Sequence, residues 1–445
     1  MKKVLALVLS LVLCLSFFAG CGEEAVDGNS TAAPAESNSP AEPAGPVTLT
    51  VVTTWGGDDG NRATYEKYIE AYQTESGNTI DDQSGTADET FKAKVMTDFS
   101  TGAEPDVLFY FNGNDMDPVV NEGKVVDIAT IRGTYPDYAS NMDDARIPAS
   151  PADGKAYAVP MYGYWEGMFA NKAVLEKAGV AVPGNDYSWD AFMEDCQKIK
   201  DAGLVPVPVS LSGEPHSWFE YCVLNNNKVN EHVVLPAAKD DAAYKAWVGG
   251  LNDIKTMYEK GFLPENALTL GAGDVAPMVG NGEGAFMIDG SWKLGWFTDN
   301  AANIDDIALC YPPAKGDRKT TDIIAGLSSG WYITKKAWDD PAKQAAAVDF
   351  VSYMTSDEAI AEFAGGAAAT TALKNGVAAP AELNSLQDQA YNSFLKNYTA
   401  SAPATQDGLT ADVRTVLLTQ DLPLVCSGDK TAEEAIDAVL EAMAE

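Results

Sequence analysis

The sequence predicts an α/β protein built as two lobes. Its 445 residues exceed one ordinary domain. From Val47 onward, short β-branched runs alternate with helical spacings, and neither an internal repeat nor a low-complexity run follows Pro46. A content of 46% hydrophobic and 21% charged residues is enough for each lobe to bury a core of its own.

The elements follow in order. Residues 48–54 are rich in Thr and Val and read as a buried strand ending at Trp55-Gly56-Gly57-Asp58. Tyr65, Tyr68, Ile69 and Tyr72 recur at helical spacing, and Gly77-Asn78 closes that helix. Thr79-Ile80 opens a second extended piece. Phe91, Val95 and Phe99 mark a second helix, and 107–111 a third strand. This strand–helix alternation argues for a parallel sheet, whose ligands sit beyond the carboxyl ends of strands. The stretches Trp55 to Gly60 and Asn112 to Asp115 are thereby placed at a site edge, with Trp55, Asp58 and Asn112 as the candidates.

A second set of elements begins with strands at 156–159 and 168–170. Ser188 caps a helix carrying Phe192, Cys196 and Ile199. Residues 205–211 read as a further strand, demoted to an edge by its prolines. A long helix spans 242–260, and a strand at 284–288 runs into Asp289-Gly290-Ser291-Trp292. Asp340-Pro341 starts a helix, and Thr431-Ala-Glu-Glu434 is a capping box for the last one.

Charge narrows the function. The chain carries 30 Lys+Arg against 65 Asp+Glu, a net of -35. Phosphate binding relies on Lys and Arg, so nucleic acid is excluded as a partner, and so is attraction to a polybasic-binding membrane surface. The amino terminus gives a location. A basic head, an apolar run from Val4 to Phe18 and small residues before Cys21 form a secretory signal over 1–21. The run is short of the roughly 20 residues of a membrane span. Phe18-Ala19-Gly20-Cys21 resembles a bacterial lipobox, with Phe where Leu is usual. That resemblance implies acylation of Cys21 and a lipid-anchored protein on the extracytoplasmic face of the cell membrane. Removal of Lys2 and Lys3 with the signal leaves 28 basic residues and a net of -37. Residues 22–46, without aromatic or basic side chains, are expected to be a disordered tether.

Cys196, Cys222, Cys310 and Cys426 are far apart and have no metal-binding spacing, so neither a zinc nor an iron–sulfur site is expected. Disulfides and buried free thiols both remain open for them. No cofactor is called for.

Several segments resemble one known family. They are Gly154-Lys-Ala-Tyr-Ala-Val-Pro160 followed by Asn171-Lys172 and Ala178-Gly179; Tyr187-Ser-Trp-Asp190; Gly284-Ala-Phe-Met-Ile-Asp-Gly-Ser-Trp292; and Phe350-Val-Ser-Tyr-Met-Thr-Ser-Asp-Glu358. In this order they resemble the extracellular solute-binding proteins of bacterial ABC importers, in the maltose- and oligosaccharide-binding branch. The resemblance covers nearly everything after Val47. It implies a periplasmic-binding-protein-like fold of type II, with a hinge and a chain that crosses it more than once. Lobe one would be 47–157 plus 323–375, and lobe two 158–322 plus 376–445. It further implies a monomer that binds carbohydrate, delivers it to permease subunits and performs no catalysis.

A sugar presents hydroxyls at its rim and C–H groups on its faces, so its site needs aromatic plates beside carboxylates and amides. Trp292 stands where the family often stacks a sugar, next to Asp289. Tyr162-Gly-Tyr-Trp-Glu166 gathers Tyr162, Tyr164, Trp165 and Glu166 just past a Val-Pro. Trp218, near His216 and Glu220, is a further candidate plate. Trp247, Trp331 and Trp338 read as core residues. Gly326-Leu-Ser-Ser-Gly330 fits a nucleophile elbow, but both histidines precede Ser328, the wrong order for that hydrolase chemistry. Ser328 and Ser329 are instead placed against the ligand. A secreted glycoside hydrolase, or a binder of peptide or polyamine, stands as the alternative.

Overall fold

The computed structural model describes residues 45–444 apart from 58, 88, 365–370 and 378–381. The signal peptide, Cys21, Asp58 and nearly all of the tether therefore lie outside the described residues.

The described chain forms two mixed sheets. In the first sheet, β1 (Thr48–Val52) lies between β2 (Thr79–Asp82) and β3 (Val107–Phe111), all parallel. The parallel order read from the sequence is thus present. Beyond β3 the sheet continues antiparallel, and its full order is β2-β1-β3-β9-β4. Here β4 is Val159–Pro160 and β9 is Ser329–Ile333. The second sheet centres on β5 (Tyr164–Asn171), which is antiparallel to β6 (Phe286–Gly290), β7 (Ile307–Cys310) and β8 (Asp322–Gly326). Its edge is β10 (Ala400–Ala402), parallel to β8.

Each sheet buries its own core. Around the first, Tyr65, Ile69 and Tyr72 of helix Arg62–Ser76 pack with Phe109, Trp331 and Phe350. Around the second, Phe192, Cys196 and Ile199 of helix Trp189–Asp201 pack with Trp247, Phe286 and Ile324. The Ser188 side chain caps that helix by accepting the Ala191 N–H, and Thr431 and Glu434 complete the capping box of Ala432–Met443. The last described segment returns to the second core through Leu417, Leu422, Val425 and Ile436.

The stretch 205–211 corrects the sequence reading. It is no strand: Val205 makes a single bridge to Gly284. Pro206 and Pro208 bring no N–H to a ladder, and the Pro208 ring sits where a Cβ on Gly284 would stand, 2.0 Å away. The strand expected at 156–159 shrinks to Val159–Pro160. Cys196, Cys222, Cys310 and Cys426 are free thiols, all buried. Among the described residues, no helix is long and apolar enough to cross a membrane.

The two sheets meet where the chain passes between them. It leaves the first after β4 and enters the second at Tyr164. It returns between β8 and β9 through Leu327-Ser328. Tyr164 and Gly326 are register partners, so the two passages run side by side.

Candidate functional site

A cavity of about 160 Å³ opens at that junction. From the first sheet it is lined by Phe111, Asn112 and Asp115, at the carboxyl end of β3 and just beyond. Tyr164, Asp407 and Arg414 line it from the second lobe, and Leu327 and Ser328 from the passage between. The carboxyl end of a central parallel strand is thus where the sequence argument placed it. Asn112 donates its backbone N–H to the Ser328 carbonyl at 2.8 Å and its amide to the Leu327 carbonyl at 3.2 Å. These bonds tie the floor of the cavity to the passage.

Beside the cavity, on and around the strand that Tyr164 opens, lies an aromatic and acidic cluster. Tyr164 opens β5, and its hydroxyl accepts the Ala404 N–H at 2.9 Å. Two residues on, the same strand face carries Glu166, whose cross-strand partner is Gly290. A Cβ on Gly290 would meet the Trp292 ring at 2.1 Å, so the ring lies flat over the glycine backbone. Trp292 is half-buried, between Tyr164 and His216, with ring centroids 6.2 and 6.4 Å away. Asp289 is buried and forms an ion pair with Lys293 at 3.7 Å.

Burial sets the protonation of the groups in and beside the cavity. It drives the Glu166 carboxyl well above its ordinary range, and the neighbouring acids Glu220, Asp289 and Asp407 push the same way. Asp407 is raised to about 7, by burial first and then Glu220, with Arg414 and Lys92 opposing. Burial also raises Asp59, against hydrogen bonds from Asn61 and the charge of Lys293. Lys293 is itself raised, chiefly by Asp289. His216 is lowered, by burial first.

Contacts cross from lobe to lobe around the cavity. Arg414 Nη2 reaches Asp115 Oδ2 at 2.9 Å, with both side chains buried. The Asn114 amide donates to the Gly408 carbonyl. On the opposite rim a Cβ on Gly60 would stand 3.2 Å from the Trp292 carbonyl.

Other candidates take different places. Trp55 is sealed between Phe109 and Phe363, with ring centroids 4.2 and 4.8 Å away, and touches Tyr65 and Trp331 edge-on. Trp165 is fully buried against Phe394, and Trp218 is buried beside Phe192. These three tryptophans correct the expectation: they are core residues and offer no ring face to a ligand. Their positions at strand and loop ends looked open in sequence because packing partners from distant segments were invisible. Tyr162 stands near Asp59 and Asn61, and Ser329 pairs with Phe111 at the start of β9 without lining the cavity. Trp247 and Trp331 are in the cores, as read, and Trp338 packs partly buried against the first.

Asp59 and Asp115 fall within the two stretches the sequence placed at a site edge, whereas sequence reasoning did not single out Lys92, His216, Lys293, Asp407 or Arg414. Lys293 had a signal, since it follows Trp292 in a segment already singled out. Asp407 sits in the single 3-10 turn Thr405–Gly408 and Arg414 in the five-residue helix Ala411–Thr415, both too short for a periodicity to mark them.

Two lobes, each an α/β sheet with its own core, joined by side-by-side passages and facing each other across a polar, aromatic cavity, define a two-lobe solute receptor fold. The chain matches the family model "Bacterial extracellular solute-binding protein" over residues 57–361, more than half its length, and belongs to that family. No curated protein matches it. Among solved structures, it is similar to a chitin oligosaccharide binding protein, with TM-score 0.75 and 20% identity over 90% of this chain and 98% of that one. A protein from a study of xylan utilization by the thermophilic bacterium Caldanaerobius polysaccharolyticus also gives 0.75, at 17% identity over 89% and 100%. Maltose-bound MalE3 of T. maritima gives 0.68, at 17% identity over 89% and 99%. At these identities the likeness establishes the fold.

Proposed function

We propose that this protein captures a sugar or oligosaccharide between its lobes and passes it unaltered to the permease of an ABC importer, while a lipid on Cys21 holds it at the outer face of the cell membrane. The observation that carries the reading is the half-buried Trp292 ring packed beside Tyr164, which lines the cavity together with Asn112, Ser328 and Asp407. An aromatic face attracts the C–H groups of a pyranose, and amide, hydroxyl and carboxylate groups match its hydroxyls. The sugar receptors among the similar structures support it. Moving a two-lobe equilibrium from mostly open to mostly closed takes about 5.5 kcal/mol. One or two aromatic stacks at about 1 kcal/mol each and a few charge-assisted hydrogen bonds at about 1.5–3 kcal/mol reach that scale.

A thermal-shift screen against mono- and oligosaccharides tests the reading, since a ligand of the folded state raises the melting point. No shift with any saccharide overturns it. So does product analysis showing that a bound oligosaccharide is cleaved. Replacement of Cys21 by Ser should release the protein from the membrane fraction.

A further inference from the structure

The cavity at the junction is small, and contacts between the lobes close its edges. It measures about 160 Å³. Clefts for drug-sized ligands begin at about 300 Å³. At about 30 Å³ per water it has room for roughly five waters, which is the room one pyranose takes with its hydroxyls and well short of two. Its floor is backbone: the Asn112 N–H donates to the Ser328 carbonyl at 2.8 Å, and Tyr164 pairs with Gly326. Along one edge, consecutive residues beyond β3 touch the second lobe. A Cβ on Gly113 would stand 3.1 Å from the Asp407 carbonyl oxygen, the Asn114 amide donates to the Gly408 carbonyl, and Asp115 pairs with Arg414 at 2.9 Å. On the opposite rim the lobes meet again, where a Cβ on Gly295 would stand 3.6 Å from the Gly60 Cα. At Gly113 and Gly60 main chain lies close on main chain, and no side-chain rotation can open it. The rings of Phe111 and Tyr164 both line the cavity. Phe111, which the sequence did not single out, is half-buried at the end of β3, with Lys92 Nζ 4.8 Å from its ring centroid.

We infer that the closed cleft takes a single pyranose unit, a monosaccharide, held against the Phe111 and Tyr164 rings with Trp292 at its border. This rests on the saccharide reading above and narrows it. The sugar offers its C–H faces to the two rings and its hydroxyls to Asn112 and Ser328, which line the same cavity. A second unit has no room inside and must lie across an edge, which keeps the lobes apart there. The ligand then forfeits the buried Asp115–Arg414 pair and the Asn114–Gly408 bond, which an enclosed monosaccharide leaves intact. Capture by closure favours the ligand that binds the closed form best, so the edge contacts select for length.

The experiment is calorimetry with glucose, galactose, xylose and N-acetylglucosamine, each beside its own disaccharide and trisaccharide. At least one monosaccharide should bind, and the trisaccharide of the same unit should bind more weakly, by about tenfold or more. Asn114→Ala, which relaxes one edge without altering the cavity lining, should shrink that difference. Phe111→Leu keeps apolar bulk and removes the aromatic face, so it should weaken the monosaccharide about three- to tenfold. A trisaccharide that binds as tightly as its monosaccharide, or more tightly, overturns the single-unit inference and leaves the saccharide reading standing. Unchanged monosaccharide affinity in folded Phe111→Leu overturns the placement of the sugar in this cavity. If no saccharide of any length binds, the saccharide reading fails as well.

Discussion

The Trp292 ring rests on a bare glycine backbone, and that contact fixes the angle of the proposed sugar platform. Truncating the ring in Trp292→Ala should weaken saccharide binding about tenfold or more, roughly 1.4 kcal/mol per tenfold, with little loss of melting temperature because the ring is only half-buried. Gly290→Ala should weaken binding to a similar degree by pushing the ring off its seat. Unchanged affinity in calorimetry for both would remove Trp292 from the site. Asp407 gives a separate test through pH. Its folded-state pKa of about 7 lies above the ordinary value of 3.8, so the folded chain binds this proton more tightly than the unfolded chain. The stabilisation is complete below the ordinary carboxylate range and is lost as pH rises through about 7. In a melting series from about pH 4 to pH 8, Asp407→Asn should flatten part of the decline. Glu166, raised in the same direction, should leave a residual slope. An identical slope in the variant would show that Asp407 is not held as described.

At the level of elements, helix His216–Leu224 and the turn Thr405–Gly408 are held together by one carboxylate. Glu220 Oε2 accepts the Thr405 N–H at 2.8 Å, Oε1 accepts the Gln406 N–H at 2.9 Å, and His232 Nε2 stands 2.7 Å from Oε2. All of this is buried, and the next residue of the turn is Asp407. Glu220→Ala strands two N–H groups and the imidazole, so it should cost about 3–5 kcal/mol and weaken binding as the turn loosens. A chemical denaturation midpoint close to wild type would refute the clamp. The same elements show what the sequence could and could not disclose. Val107–Phe111, the Ser188 and Thr431 caps and the long helix Ala242–Glu259 were legible because propensity, period and capping are local. Asn112 could be placed at the cavity because it follows a strand of recognisable pattern, while Trp292 was singled out by the family resemblance of its segment. Trp55 misled because its sealing partner Phe363 is some 300 residues away in the chain. Asp407 and Arg414 gave no local signal at all, since their role is created by the return of the last segment to the cavity.

Across the whole molecule, the two lobes are bridged by groups that belong to each, and in the proposed capture mechanism these contacts hold the closed form. Asp115 follows β3 of the first sheet, and Arg414 belongs to a segment whose apolar residues pack in the second core. Deleting one partner of a buried pair within a single core strands the other charge and is felt as unfolding. On the proposed capture by closure the lobes part, so Asp115 returns to water when the cleft opens, and the cost falls on the closing equilibrium. Arg414→Leu should therefore leave the melting temperature near wild type and enlarge the radius of gyration of the unliganded protein in small-angle X-ray scattering. Asn114→Ala, which loses the bond to the Gly408 carbonyl without lining the cavity, should shift the radius in the same direction by less. A saturating ligand should contract both variants again, because its contacts with the two lobes replace part of what was removed. The apparent affinity should drop by the fraction of closed form lost, since a ligand that needs the closed form binds only as often as that form is present. If scattering is unchanged while Arg414→Leu melts several degrees lower, the Asp115–Arg414 pair is a structural brace of one rigid body and closure is governed elsewhere.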